Sequence, residues 1–460
     1  MKRLMAKAAA LIMAIGMACP CPALSMTLEE TARHAAANSP RIRAARTDIR
    51  AAEARLAEAR SAGSPKISVS AVLARFNKPA STALPDISIP ILPTPLSLPD
   101  VNLTENTYSA GFVSLTMPLY TGGRLTHAKN AAKAMISTAD SACEATEAEI
   151  VYAAIRAYLA VGLARKGEEA AMQYRDTAEG HLRAAEKLLE NRQVAKYEVI
   201  RAEAELEKAC QKLKNAENQR RLAEEALRTA AALGRDSDFR VEEYVESEEL
   251  RENARKSVEE LYSIATGKSG RLKALKHKKE TYLECVKKER AGMAPTVAGF
   301  AYQTIYSKRQ PTSIPDSAAG ILVNIPVFDG GKSRAGINAQ ESLAEKTELE
   351  SQTARDELML EIVRYKSDLE NAEAGIASAE KRIELQTEIL RLSERRFAEC
   401  VGTGLEITDA ATALTAARLS KAECEYQRLV SIFGMAKTSG ILERAVGIDL
   451  GREYGRCDRQ

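Results

Sequence analysis

Cysteine, histidine and carboxylate side chains are where chemistry would be expected, and in this 460-residue chain they form no catalytic pattern. Cys19 and Cys21 lie near the N-terminus; the other cysteines are Cys143, Cys210, Cys285, Cys400, Cys424 and Cys457. These six contain no Cys-x-x-Cys spacing, so a zinc-type site is not expected. An oxidising compartment would permit a disulfide, but spacing alone selects no partners. His34, His127, His181 and His277 are scattered without a partner motif. With no nucleophile–base pair and no metal cluster, the chain reads as a protein that is not an enzyme and needs no cofactor. Glu406 and Asp409 stand three residues apart at the start of a helical stretch, where the helix dipole alone already favours acids.

What would position such groups is more informative. The stretch Leu115-Thr116-Met117-Pro118-Leu119-Tyr120-Thr121-Gly122-Gly123 has an echo in Asn324-Ile325-Pro326-Val327-Phe328-Asp329-Gly330-Gly331. Each reads as a strand end, a proline, an apolar step, a Gly-Gly hinge and then a very long helix. Pro118 and Pro326 cannot donate to a sheet ladder and are expected to end their strands. Gly122, Gly123, Gly330 and Gly331 permit positive φ and a sharp change of direction. Globular helices average about 11–12 residues, so two strand-to-long-helix junctions indicate a duplicated architecture.

The N-terminus speaks to compartment. Lys2, Arg3 and Lys7 precede an apolar run from Ala8 to Ala18, and Ala23-Leu24-Ser25 offers small residues for cleavage. Residues 1–25 therefore read as a secretory signal peptide. Lipidation at Cys19 is the competing reading, but Gly16-Met17-Ala18 lacks the leucine of a lipobox. Removing the three signal-peptide cations from the 66 basic residues balances them against 63 acidic ones, which argues against a nucleic-acid partner. No apolar run long enough for a spanning helix follows, so any membrane passage would have to be a closed β-barrel.

A first repeat is expected over 26–234. Thr27 and Glu30 form a capping box, and Asn38-Ser39-Pro40 breaks the leading helix. Alternating residues predict strands over about 66–76 and 107–117, flanking a proline-rich loop at 77–106. A helical hairpin follows over 124–234, turning near 191–196; its 69 positions from Arg124 to Arg192 would rise ~104 Å. A polar connector spans 235–256. The second repeat, 257–445, has strands at about 296–306 and 318–327 and a hairpin over 332–440, and a tail runs 446–460. Val258-Glu259-Glu260 echoes Leu28-Glu29-Glu30, and Pro295 answers Pro65, both displaced by 230; Pro326 answers Pro118 displaced by 208. All 15 prolines lie at or before Pro118 or between Pro295 and Pro326, leaving both long hairpins uninterrupted.

Four strands cannot close a barrel alone, and an open edge is intolerable in lipid, so several protomers would have to share one; three would supply twelve strands. With Val401-Gly402-Thr403 followed by Asp409-Ala410-Ala411, this order of elements resembles the TolC family of outer-membrane efflux proteins over about 27–445. The resemblance implies a mainly α fold with a small β-barrel part. It implies a homotrimer with a 12-stranded barrel in outer-membrane lipid, continued by a helical periplasmic tunnel. It also implies the role of exit duct for an inner-membrane pump of RND, ABC or MFS type, joined through a periplasmic adaptor, in efflux or type I secretion.

By the same resemblance, the tip turn is Val401, Gly402, Thr403 and Gly404, and the constriction falls to Glu406 and Asp409, with Glu198 and Lys196 as their counterparts 208 residues earlier. Three copies of each acid would make an anionic ring that favours cations and resists closure. Gly404 stands where the family carries a basic latch residue, a charge that Lys196 is positioned to replace. The rival readings are a periplasmic adaptor, which would carry one hairpin and Gly-rich β-domains, and a structural coiled-coil protein, which would not need the alternating strands.

Overall fold

The computed structural model describes residues 24–75, 77, 81–82, 101–102, 107–234, 239–242, 244, 246–308 and 315–447. The signal segment up to residue 23, most of the proline-rich loop and the tail beyond 447 lie outside them. The elements run β1 (Leu24–Met26), α1 (Leu28–Asn38), α2 (Pro40–Ser61), β2 (Lys66–Arg75), β3 (Ser81–Thr82), β4 (Val101–Asn102), β5 (Thr107–Tyr120), α3 (Arg124–Glu190) and α4 (Lys196–Ala230). They continue as β6 (Phe239–Val241), α5 (Glu248–Arg255), α6 (Val258–Lys268), α7 (Gly270–Ala291), β7 (Thr296–Lys308), β8 (Ser317–Asn324), α8 (Lys332–Ala398), α9 (Gly404–Thr438) and α10 (Leu442–Ala445).

The duplication is carried residue for residue. Helices α3 and α8 each span 67 residues, and α4 and α9 each span 35. The preceding pairs α1/α6 and α2/α7 match at 11 and 22 residues. Their caps match too. Thr27 and Glu30 exchange side-chain-to-backbone bonds of 2.9 and 3.2 Å, and Ser257 and Glu260 do the same at 3.1 and 3.2 Å. Each such cap contributes about 1 kcal/mol. Four helix ends close on a left-handed residue: Arg192, Ala232, Cys400 and Gly440, with φ of 58, 53, 59 and 66°. In each, the following amide reaches back to a carbonyl of the last turn, for instance Gln193 N to Leu188 O at 2.8 Å and Val401 N to Arg396 O at 2.9 Å. This is the αL stop that frees the chain to reverse.

Two compact units divide the chain, and the boundary falls within the long helices. One comprises residues 48–140 and 274–351. Its sheet is antiparallel in the order β2-β5-β7-β8, with Val69 opposite Val113 and Ala301 opposite Ala319. Pro118 does not end β5, as its type suggested; the strand continues to Tyr120. The proline is tolerated because β2 pairs only as far as Thr116, and the β7 ladder is broken by a register shift between Pro118 and Tyr120. Strand β8 stops at Asn324, two residues before Pro326. Gly122, at φ 61°, also lies so close to Ala294 that a Cβ would fall 2.3 Å from that side chain. The proline-rich loop is not wholly without pairing: β3 and β4 form a two-residue antiparallel ladder. Among the helical segments of this unit, Ala52, Leu56 and Ile136 make a thin, alanine-rich seam.

The other unit comprises residues up to 47, 141–273 and from 352. Its core gathers Leu28, Val151, Ile155, Leu227, Leu250, Ile362 and Phe433 from all its main helices. Strand β1 pairs in parallel with β6 in the connector, and Tyr158 bridges them by donating to Met26 O (3.1 Å) and Glu242 O (2.7 Å). Burial pushes the Tyr158 hydroxyl up to about 12. The expected cleavage point near Ser25 falls inside β1. Gly270 packs against α3, where a Cβ would sit 2.9 Å from Ser141 O. Among the described residues, no helix is long and apolar enough to cross a membrane.

Candidate functional site

The residues singled out at the hairpin ends lie in this second unit, at two turns built alike. In the first, α3 stops, Arg192 takes the left-handed conformation and α4 begins at Lys196. In the second, α8 stops, Cys400 does the same and α9 begins at Gly404. Neither N-cap residue, Ala195 or Thr403, uses its side chain to cap. Gly402 folds over the end of α8, its amide donating to Arg396 O at 3.0 Å, and a Cβ there would fall 2.9 Å from the Arg396 side chain. Val401 is exposed, as are Tyr197, Ile200 and Leu405.

Beneath the turns, the four helices share a small core of Ala185, Ala202, Phe397 and Ile407. Glu406 is half-buried and pairs with Arg396 across its own turn at 3.2 Å. Asp409 is exposed and makes no ion pair among the described residues. The two acids are therefore not equivalent: one is already compensated. Lys196 is exposed and reaches no carboxylate among the described residues.

What does meet Gly404 is a residue that sequence spacing passed over. His181 on α3 is only 8% exposed and stacks edge-on against Phe397, ring centroids 4.7 Å apart. A Cβ on Gly404 would fall 2.8 Å from His181 Nε2 and 2.9 Å from Glu198 Oε2. Burial holds the His181 imidazole below its ordinary value, against the pull of Glu198. A scattered histidine carries no periodic signal. The one hint was the bare Gly404 at a helix start, which leaves room for a side chain from elsewhere.

Two turns further along, Tyr174 donates its hydroxyl to Glu205 and approaches Thr412 Oγ1 at 3.3 Å, while Lys212 Nζ lies 4.4 Å from the ring centre. Burial, then the Glu205 bond, pushes Tyr174 up to about 12. Arg418 on α9 donates to Gln173 on α3, and Lys166 pairs with Glu425 at 2.7 Å, so polar contacts tie the two hairpins together. Among the described residues, no disulfide joins Cys143, Cys210, Cys285, Cys400 or Cys424, and no group of three histidine, cysteine or acidic side chains converges as metal ligands would.

A duplicated, mainly α chain with one small antiparallel sheet and paired helical hairpins has the architecture of an outer-membrane channel subunit. The profile of the outer membrane efflux protein family matches residues 31–233 and 261–440, and the chain belongs to that family. Among solved structures, the CmeC outer-membrane channel of Campylobacter jejuni superposes with a TM-score of 0.72 at 16% identity, over 90% of this chain and 86% of that one. The outer-membrane protein VceC of Vibrio cholerae gives 0.71 at 17% identity, over 92% and 96%. The open state of the Neisseria gonorrhoeae MtrE channel gives 0.68 at 16%, over 91% and 90%. No curated protein matches the sequence. The protein is accordingly an outer-membrane efflux channel with a periplasmic helical tunnel, the exit duct of a tripartite system that includes an adaptor and an inner-membrane pump. Its family is one of channels.

Proposed function

We propose that three copies of this chain close a twelve-stranded barrel in outer-membrane lipid and conduct cargo without catalysing any reaction on it. The observation that carries this is the four-stranded sheet, whose outer strands β2 and β8 each have one edge unpaired among the described residues. Cross-strand register puts Ile67, Val69, Leu115, Ile321 and Val323 on one face, and all five are exposed. The opposite face carries Ser68 and Ser114, whose hydroxyls meet at 2.7 Å. An exposed apolar face is what a lipid-embedded barrel turns outward, and pairing β2 of one copy with β8 of the next would remove every edge. Residues 1–25 serve as a signal peptide, and the repeats occupy 26–234 and 257–445 on either side of a connector.

The periplasmic end lies at the hairpin turns, with Asp409 as the principal anionic lining residue. Glu406, Glu198 and Lys196 are secondary, because Arg396 compensates the first and Glu198 is turned toward Gly404. The pump is of RND, ABC or MFS type, in efflux or type I secretion. Purified mature protein in detergent should have the mass of three chains by light scattering and form cation-selective pores in planar bilayers. A soluble monomer with no pore would overturn the reading.

A further inference from the structure

We propose that His181, Glu198 and Gly404 form a proton-sensitive joint at the periplasmic tip, through which acidification loosens the seating of α9 on α3 and α4. The inference rests on the reading of the hairpin turns as the channel's periplasmic end.

Three observations converge on the joint. First, His181 Nδ1 and Glu198 Oε2 are buried polar atoms without a hydrogen-bond partner among the described residues. Native proteins satisfy nearly all such groups, and each left unmade costs about 1–3 kcal/mol. Second, both side chains crowd the Cα of Gly404, the first residue of α9, which has no Cβ to obstruct them. Third, the imidazole is wedged against Phe397, so it cannot swing to water without disturbing the contact between the first hairpin and the second.

The charged surroundings determine the sign. From α4, Glu198 and Glu205 favour a proton on His181 and Arg201 opposes it, while burial opposes it most. From α8 and α9, the packing residues Phe397 and Gly404 do not titrate, and the adjacent Arg396 and Glu406 are paired with each other. On α3 itself, Glu179 and Arg183 are likewise paired. The packed imidazole therefore binds a proton less well than a solvated one, whose ordinary value is 6.5. By linkage the packed joint keeps its full stability above that value and loses it progressively as the pH falls below it. Protonation thus selects the arrangement in which His181 is wet and α9 has moved off it.

The test is hydrogen exchange of the intact detergent-solubilised protein at pH 7.5 and 5.5, corrected for the intrinsic pH dependence of exchange and read at amides 196–206 and 404–410. The wild type should lose protection several-fold at the lower pH, and His181→Gln, which cannot titrate, should show equal protection at both. Glu198→Gln is a second variant, independent of whether the first folds; without the carboxylate that favours its proton, the packed imidazole binds one still less well, so the loss of protection at pH 5.5 should be larger than in the wild type. A wild type whose tip protection does not change with pH, or variants that follow the wild-type profile, would overturn the joint. Pore formation in planar bilayers, recorded on the same preparations, tests the channel reading separately. No pore would count against that reading, whereas the exchange data would still decide the joint.

Discussion

Helices α4 and α9 are the same length and begin and end with the same turns, yet α4 buries three residues and α9 fifteen. Over the last third of the helix the difference comes from the connector, which occurs once in a chain where almost everything else occurs twice. Its helix α5 packs on the C-terminal third of α9, burying Leu250 and setting Asn253 Nδ2 3.4 Å from Ser439 Oγ. Glu246 of the connector holds Arg428 of α9 at 2.6 Å. Lys366 of α8 in turn donates to Ala254 O and Lys256 O at the end of α5. Helix α4 receives no such cover and leaves Tyr197, Ile200 and Leu222 exposed. Duplication therefore dictates the backbone, while a single unduplicated segment covers the last third of one return helix and leaves that of the other bare.

The most severe way to break this comparison is to remove the buried anchor of α9. Phe433, fully buried, stands at the position that Glu225 occupies in α4. Phe433→Ala should cost about 3–5 kcal/mol, whereas Glu225→Ala should stay within about 0.5 kcal/mol, both read from denaturant unfolding of the purified protein. Equal effects would mean that α9 is no better seated than α4.

The neighbouring position sharpens the point. A Cβ on Gly434 would lie 2.5 Å from two ring atoms of Tyr365, so Gly434→Ala should destabilise by about 1–3 kcal/mol through overpacking. Its counterpart Ala226 is exposed on α4, and there the reverse change, Ala226→Gly, should cost about 1 kcal/mol from helix propensity alone. The same assay would show glycine preferred in one repeat and alanine in the other.

The turns should behave alike. Arg192→Gly and Cys400→Gly each relieve a left-handed residue with a Cβ and should each stabilise by about 1 kcal/mol. Unequal gains, measured as shifts in thermal midpoint, would show that one of the two side chains makes a contact beyond its turn.

The smallest effects concern permeation. Asp409→Asn should reduce cation selectivity in planar bilayers more than Glu406→Gln does, because Arg396 already offsets Glu406. Arg396→Ala should raise selectivity by releasing that charge. A half-exposed pair of this kind is worth about 0.2–1 kcal/mol, so the changes should stay below roughly fivefold.

Much of this fold was legible because its signals are local. Capping residues, the Asn38-Ser39-Pro40 break, proline placement and the 208- and 230-residue echoes act within a turn or a strand, and they set helix ends wherever the chain later packs. Pro118 was misread as a strand end for the converse reason: a proline's cost depends on whether a neighbouring strand needs its amide, and β2 pairs only as far as Thr116. At the tip, the types and spacing of Val401, Gly402 and Thr403 marked a turn, but nothing in that spacing said that Glu406 would turn back to Arg396.

The sequence by itself therefore determined the repeats, their helix lengths and their stops, because each depends on residues within a few positions of one another. Only the tertiary structure decided that α9 is the seated return helix and that His181 and Glu198 meet over Gly404. These outcomes depend on how helices distant in the chain pack side by side, and burial and proton affinity arise from that packing.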